Sequence, residues 1–229
     1  NIKLVRTVEL GKLSWDSSDS SVNEGWGVNE WSQADLKDYL NTMYYGGTSV
    51  TCYGGSKNAT TTCPTSSLNE TAKSMINNYT WNTGAITTST SAGILELYNS
   101  ERDSIPCKMC TSGDRCNDTV ERTTTWQGYV ALPYTSDYGY ASTDESCINS
   151  FSGLCKNNNW MHHGSAIYEG MWMLDPICHS VGPSFAWFIG GLGNAGTGSA
   201  SFAYSIFPSV YLNSNVEITG GSGTSSDPY

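Results

Sequence analysis

The chain lacks any run of about twenty apolar residues, so nothing in it reads as a helix able to cross a bilayer. Charge is also sparse. Only 14% of residues are Asp, Glu, Lys or Arg, and 11 basic side chains face 21 acidic ones, a net charge of −10. Nucleic acid and anionic membrane surfaces both need Lys and Arg for attraction, so this balance argues against either as a partner. Histidine is scarce as well. His162 and His163 are adjacent, which makes their side chains diverge, and His179 is the only other. No G-x-S-x-G elbow occurs to present a nucleophilic serine. The carboxylate pairs Asp16/Asp19 and Asp144/Glu145 lie in Ser-rich loops, and nothing in the sequence puts them in the desolvated cleft that acid–base catalysis needs. Asp16 and Asp19 with Glu24 lack the alternation of a calcium loop, so a solvated turn is expected there. These absences point away from an enzyme and imply no cofactor and no metal.

Gly, Ser, Thr, Asn and Tyr are abundant instead, a composition suited to an extracellular, β-rich domain or a surface-layer component. Eight cysteines accompany it, six in close pairs: Cys52 with Cys63, Cys110 with Cys116, and Cys147 with Cys155. An even count with short loops reads as a set of disulfides, which persist in oxidising compartments. Each short loop holds turn residues: Gly54, Gly55 and Ser56; Ser112, Gly113 and Asp114; Asn149, Ser150 and Gly153. If all three local pairs form, Cys107 and Cys178 remain for each other and close a much longer loop. Eight cysteines allow about a hundred connectivities, so the pairing stays open at this level. Metal or redox chemistry is the rival reading. Cys107-Lys108-Met109-Cys110 is a C-x-x-C, but its downstream partners would be the adjacent Cys178 and His179, which rarely reach one ion together. Turn residues follow Cys110 where a redox helix should begin.

Two helices carry start signals. Ser32 is the expected N-cap of the first, with Asp35 in the capping-box position and Trp31 and Leu36 as a hydrophobic staple. The second is expected to start at Ser67 with Glu70 in the box, and its stripe of Leu68, Ala72, Met75 and Ile76 is read as core. Strands are expected at residues 1–5, 124–132, 185–189, 201–205, 209–212 and 216–218. Gly191 to Gly196 matches G-x-G-x-x-G after an apolar strand. No helix opens there, so a hairpin turn joining the strands 185–189 and 201–205 is expected rather than a dinucleotide site. The sum is a single α+β domain over 1–229, rich in strands, with about two short helices and long disulfide-stapled loops. Residues 219–229 form a Gly/Ser-rich tail. The chain opens directly in strand-like sequence, with the expectation that a leader or anchor was removed or left out. Sequons at Asn58, Asn69, Asn78 and Asn117 would carry glycans if the source glycosylates.

Several segments together resemble a family. Leu13-Ser14-Trp15-Asp16-Ser17, Trp31-Ser32-Gln33-Ala34-Asp35-Leu36 and Thr51-Cys52-Tyr53 with Cys63 form its first half. Cys116-Asn117-Asp118-Thr119, Thr124-Thr125-Trp126 and Tyr134-Thr135-Ser136-Asp137-Tyr138-Gly139-Tyr140-Ala141 form its middle. Residues 209–216, 218–223 and 227–229 form its end. The ordered set is similar to a cell-surface domain of gut-type Gram-positive bacteria, common behind type IV prepilin-like N-termini. The resemblance implies the three local cysteine pairs, with Cys107 and Cys178 as additions to the pattern. It implies a fold akin to C-type-lectin-like, formylglycine-enzyme-like surface domains, with no ligand residues to carry over. Two roles follow as expectations: a non-catalytic subunit that self-associates into a pilus-like or other surface filament, or an adhesin-like module binding glycans or host protein.

Overall fold

The computed structural model describes residues 2–17, 26–86, 93–104, 120–162, 170–177, 183–217 and 219–221. In chain order the strands are β1 (Lys3–Val5), β2 (Lys12–Ser14), β3 (Cys52–Tyr53), β4 (Thr60–Thr61), β5 (Tyr79–Asn82), β6 (Thr125–Gly128), β7 (Val130–Ala131), β8 (Met171–Pro176), β9 (Phe185–Ile189), β10 (Ala195–Ser199), β11 (Ala203–Ser205) and β12 (Ser209–Tyr211). The α-helices are α1 (Asp35–Asp38, continued by a π-helical stretch Tyr39–Tyr45), α2 (Glu70–Met75), α3 (Ile94–Glu101), α4 (Thr135–Tyr140) and α5 (Glu145–Asn149). The architecture is α+β and strand-rich.

A five-stranded sheet, ordered β10-β9-β8-β11-β2, divides the molecule. Its central strand β8 is buried along its whole length, as a strand covered on both faces must be. Side-chain alternation explains how. Met171 and Met173 face a core shared with Ile94, Leu97, Tyr138 and Phe207. Trp172 and Leu174 face the opposite core, with Trp15, Trp31, Leu36 and Trp81. Two indole N–H groups cross-link the sheet's neighbours: Trp15 donates to the Met173 carbonyl at 3.1 Å and Trp172 to the Leu13 carbonyl at 3.0 Å. A smaller sheet, β1-β12-β7, is antiparallel throughout and places Lys3 opposite Tyr211.

The expected helices form, with different caps. A short 3-10 turn, Trp31–Gln33, precedes α1, and Glu30 rather than Ser32 caps it by accepting from the Ser32 N–H at 3.1 Å. Asn69, not Ser67, caps α2 by accepting from Ala72 N at 2.8 Å. The stripe read as core on α2 is only partly so: Ile76 is buried, Leu68 and Ala72 are half-buried, and Met75 is exposed. Three further short helices, α3, α4 and α5, accompany them. The expected strand 124–132 is broken into β6 and β7 because Asn41 Oδ1 accepts from both Tyr129 N and Val130 N, each at 3.1 Å. The glycine-rich turn at 190–194 does join a hairpin, but β9 pairs with Ala195–Ser199. Residues 203–205 instead bridge β2 and β8. Val216 and Glu217 are irregular, while Ile218 and residues 222–229 of the tail lie outside the described residues.

Candidate functional site

The motif segments meet at two buried carboxylate centres. At the first, Asp16 leaves β2 and turns into the start of α1. Its Oδ2 accepts from Val28 N at 2.7 Å and its Oδ1 from Asp35 N at 3.1 Å, while Asp35 Oδ2 accepts from Ser17 N at 2.7 Å. The turn requires Gly27. Its φ is +77°, and a Cβ there would fall 2.1 Å from the Asp16 carbonyl oxygen. Asp16 is therefore not in a solvated turn: it is 1% exposed, and burial, with the Asp35 carboxylate beside it, pushes its pKa up to about 7. Asp19 and Glu24 lie outside the described residues. Next to this centre, Arg122 donates through Nε and Nη2 to Asn29 Oδ1 at 2.8 and 2.7 Å, and Glu30 accepts from Thr123 N at 3.1 Å.

The second centre surrounds the first turn of α4. Thr135 donates from N and Oγ1 to Asp175 Oδ2 at 2.7 and 2.8 Å. Ser136 donates from N to Glu101 Oε1 at 2.7 Å and from its hydroxyl to Glu101 Oε2. Asp137 reaches back to accept from Tyr134 N at 2.8 Å, as a capping-box acid does. Lys3 Nζ donates to Asp137 Oδ2. That ammonium also lies 4.1 Å from the Tyr134 ring centroid and 5.6 Å from those of Trp81 and Tyr211. Arg102 completes the group, donating to Glu101 Oε2 at 2.8 Å while its guanidinium covers the Tyr98 ring at 3.5 Å. Burial raises the pKa of Glu101 well above the usual carboxylate range, reinforced by Asp175, and burial lifts Asp175 to about 6. Burial lowers the pKa of Lys3, against the pull of Asp137.

Both centres serve backbone amides, and their carboxylates arrive from positions far apart in sequence. Of the segments singled out in the sequence, Asp16, Ser17 and Asp35 meet at the first centre and Tyr134 to Asp137 at the second, while residues 116–119 lie outside the described residues. Elsewhere, His162 is engaged through Nδ1 with the Tyr138 hydroxyl at 2.8 Å. His163 and His179 lie outside the described residues. Asp144, from the second carboxylate pair, is a cap on α5 that accepts from Ser146 N at 3.0 Å. No group of three or more His, Cys, Asp or Glu side chains that could hold a metal occurs among the described residues.

Cys52 is bridged to Cys63 across the β3–β4 ladder, and Cys147 to Cys155 between α5 and the 3-10 turn Gly153–Lys156. The expected bridges Cys110–Cys116 and Cys107–Cys178 lie outside the described residues.

Among the described residues, two concave surfaces are strongly apolar, and a third, of about 220 Å³, is lined by Lys3, Asp137, Tyr140 and Trp160. One, of about 430 Å³, is floored by Phe188 and Tyr204 and flanked by Trp26 and Phe202. Its rings lie flat because the strands beneath carry glycine: a Cβ at Gly196 would meet Phe188 at 3.0 Å, and one at Gly198 would meet Tyr204 at 3.0 Å. The other, of about 270 Å³, is an apolar groove between the β1–β12 face and α2, and Met75 and Leu68 of the misread stripe line it. The sequence signal for both was the excess of aromatic and apolar residues at exposed strand positions, which the alternation pattern alone could not place. No family model, no curated protein and no solved structure matches the chain.

Proposed function

We propose that the chain is a non-catalytic extracellular structural subunit that self-associates into a pilus-like or other surface filament. The observation that carries this reading is how the perturbed carboxyls are used. Asp16, Glu101 and Asp175 each hold backbone N–H groups that begin a helix or turn, in place of facing a cleft. Two disulfides add to the same investment in durability, and such bridges suit an oxidising location. Exposed apolar side chains support assembly. Leu95, Ile148, Leu154 and Leu192 are each at least half exposed. Their segments adjoin, since Gly93 sits against the Ile148 carbonyl and Gly153 against that of Leu192. Clusters of this kind mark interaction surfaces.

A second reading, an adhesin-like module for glycans, is favoured by the aromatic pocket of Trp26, Phe188, Phe202 and Tyr204, whose volume suits a small ligand. Electron microscopy of native material separates the two. Ordered polymers containing the chain support the filament subunit. Monodisperse protein that binds glycans on an array, and loses binding with Trp26→Ala, supports the adhesin.

A further inference from the structure

The third concave surface, of about 220 Å³, differs from the two apolar ones in setting aromatic rings beside an ion pair. Helix α4 supplies Asp137 and Tyr140, three residues apart and so on one face of the helix. Trp160 comes from a separate turn bonded to the end of that helix, its N–H donating to the Ala141 carbonyl at 3.4 Å. Asn159 pins this turn. Its Nδ2 donates to the Tyr138 and Cys155 carbonyls at 2.8 and 2.6 Å, and its Oδ1 accepts from Met161 N at 2.8 Å. The Tyr140 ring meets that of Tyr98 edge to face, with centroids 6.3 Å apart. Both pocket rings still reach solvent: Trp160 is 58% exposed and Tyr140 54%. The polar groups beside them are few and balanced. Asp137 uses one oxygen, Oδ2, for both Lys3 Nζ and the Tyr134 N–H, which leaves Oδ1 as an acceptor on a side chain that is 25% exposed. On β1, Ile2 O accepts from Leu212 N and Arg6 N donates to Pro208 O, both at 2.9 Å. Alternation along the strand then turns the N–H and C=O groups of Lys3 and Val5 away from β12, and both residues line the pocket. Lys3 and Asp137 are the two charged side chains of the lining, and they offset each other.

We propose that this pocket binds one neutral hexopyranose unit, its C–H face against Trp160 and Tyr140 and its hydroxyls at Asp137 Oδ1 and the outward edge of β1. A pyranose has an apolar C–H face and a polar rim, and the lining offers the complement of both: two amphipathic rings beside a carboxylate oxygen and main-chain donors and acceptors. Size limits the ligand. The pocket lies below the roughly 300–1,000 Å³ of sites for drug-sized molecules, so it has room for one ring. Charge narrows the class. An acidic sugar would bring its carboxylate against Asp137, and an amino sugar its ammonium against Lys3, so each meets a like charge that a neutral sugar avoids. The backbone behind the rings is already fixed by Asn159, so binding orders little that was free. No residue of this lining belongs to the pocket of Trp26 and Phe202. A filament subunit and a monomer can carry the site equally, so the inference rests on neither reading above.

Saturation-transfer NMR on the full chain tests this, with the methyl β-glycosides of glucose, galactose and mannose as neutral probes and glucuronate and glucosamine as charged ones. At least one neutral glycoside is expected to bind, with a dissociation constant of about 1–10 mM for so small a ligand. The charged sugars are expected to bind several-fold more weakly. Trp160→Ala and Tyr140→Ala, both at exposed positions, are each expected to weaken binding about three- to tenfold. Their urea midpoints are expected to match the parent's, which separates lost contact from lost fold. Trp26→Ala is expected to bind as the parent does. Absence of transfer to all three neutral glycosides at concentrations well above that range overturns the proposal, as does binding that survives both ring variants. Glucuronate or glucosamine bound as tightly as the neutral sugars also overturns it. Loss of binding in Trp26→Ala with Trp160→Ala unaffected assigns the sugar to the other pocket and overturns it equally.

Discussion

Replacing Cys147 and Cys155 together by serine should cost the fold more than replacing Cys52 and Cys63, although the two loops are of similar length. The bridges span 8 and 11 residues of sequence respectively. In the chain-entropy account each therefore contributes about 3 kcal/mol, and loop length alone predicts near equality. Burial breaks the tie. Cys147 and Cys155 are both sealed in the core beside Tyr138, Phe151 and Met161, whereas Cys63 is half-buried with Val50 O within reach at 3.4 Å. Serine hydroxyls at the first site would be buried with their nearest carbonyls, those of Gly139 at 3.7 Å and Ser150 at 4.0 Å from the sulfurs, beyond hydroxyl reach, which costs about 1–3 kcal/mol each, and about one such penalty applies at the second. The first double variant should lose roughly 5–9 kcal/mol and the second roughly 4–6, against a typical domain stability of about 5–15. Urea unfolding followed by tryptophan fluorescence measures both, with unchanged slopes required for the comparison. Equal losses, or a larger loss at Cys52 and Cys63, would refute the argument that core burial rather than loop closure sets the difference.

Mild acid should stabilise this protein. Asp16, Glu101 and Asp175 all have folded pKa values raised above their ordinary ones, so between about pH 4 and 7 the native state binds more protons than the unfolded state. Stability contributed by these groups is then greatest near pH 4–5 and falls as pH rises toward 7. For Asp16, the gap from 3.8 to about 7 amounts to at most roughly 4 kcal/mol. A melting temperature that rises steadily from pH 5 to pH 8 would contradict this. Gly27→Ala should destabilise by more than about 2 kcal/mol, since it combines a positive φ with a Cβ placed against the Asp16 carbonyl; calorimetry checks it. Leu192→Asp, at a position 69% exposed, should leave stability within about 0.5 kcal/mol while abolishing polymers seen by light scattering.

The sequence shows most clearly what is local. β1, the first helix, the turn after β9 and the cysteine loops 52–63 and 147–155 announce themselves through turn residues and alternation within a few positions, although the strand paired with β9 is 195–199 and not 201–205. Helix α4 does not. Thr-Ser-Asp-Tyr-Gly-Tyr has weak helix propensity, and its first turn is held by carboxylates from Glu101 and Asp175, some forty residues away on either side. Asp16 was hidden for a similar reason: among serines it looks solvated, and only the return of the chain at Val28 and Asp35 buries it. The strand at 203–205 was visible, but its partners β2 and β8 are set by the sheet order rather than by adjacency. Long-range hydrogen bonding decides these cases, and a periodicity of two or 3.6 carries no trace of it.

The central claim is that the chain's chemistry is invested in a durable polymer subunit. Immunogold electron microscopy of the native surface material tests it most directly. Regularly spaced label along filaments is the predicted result; label confined to single, unassembled particles would contradict the account.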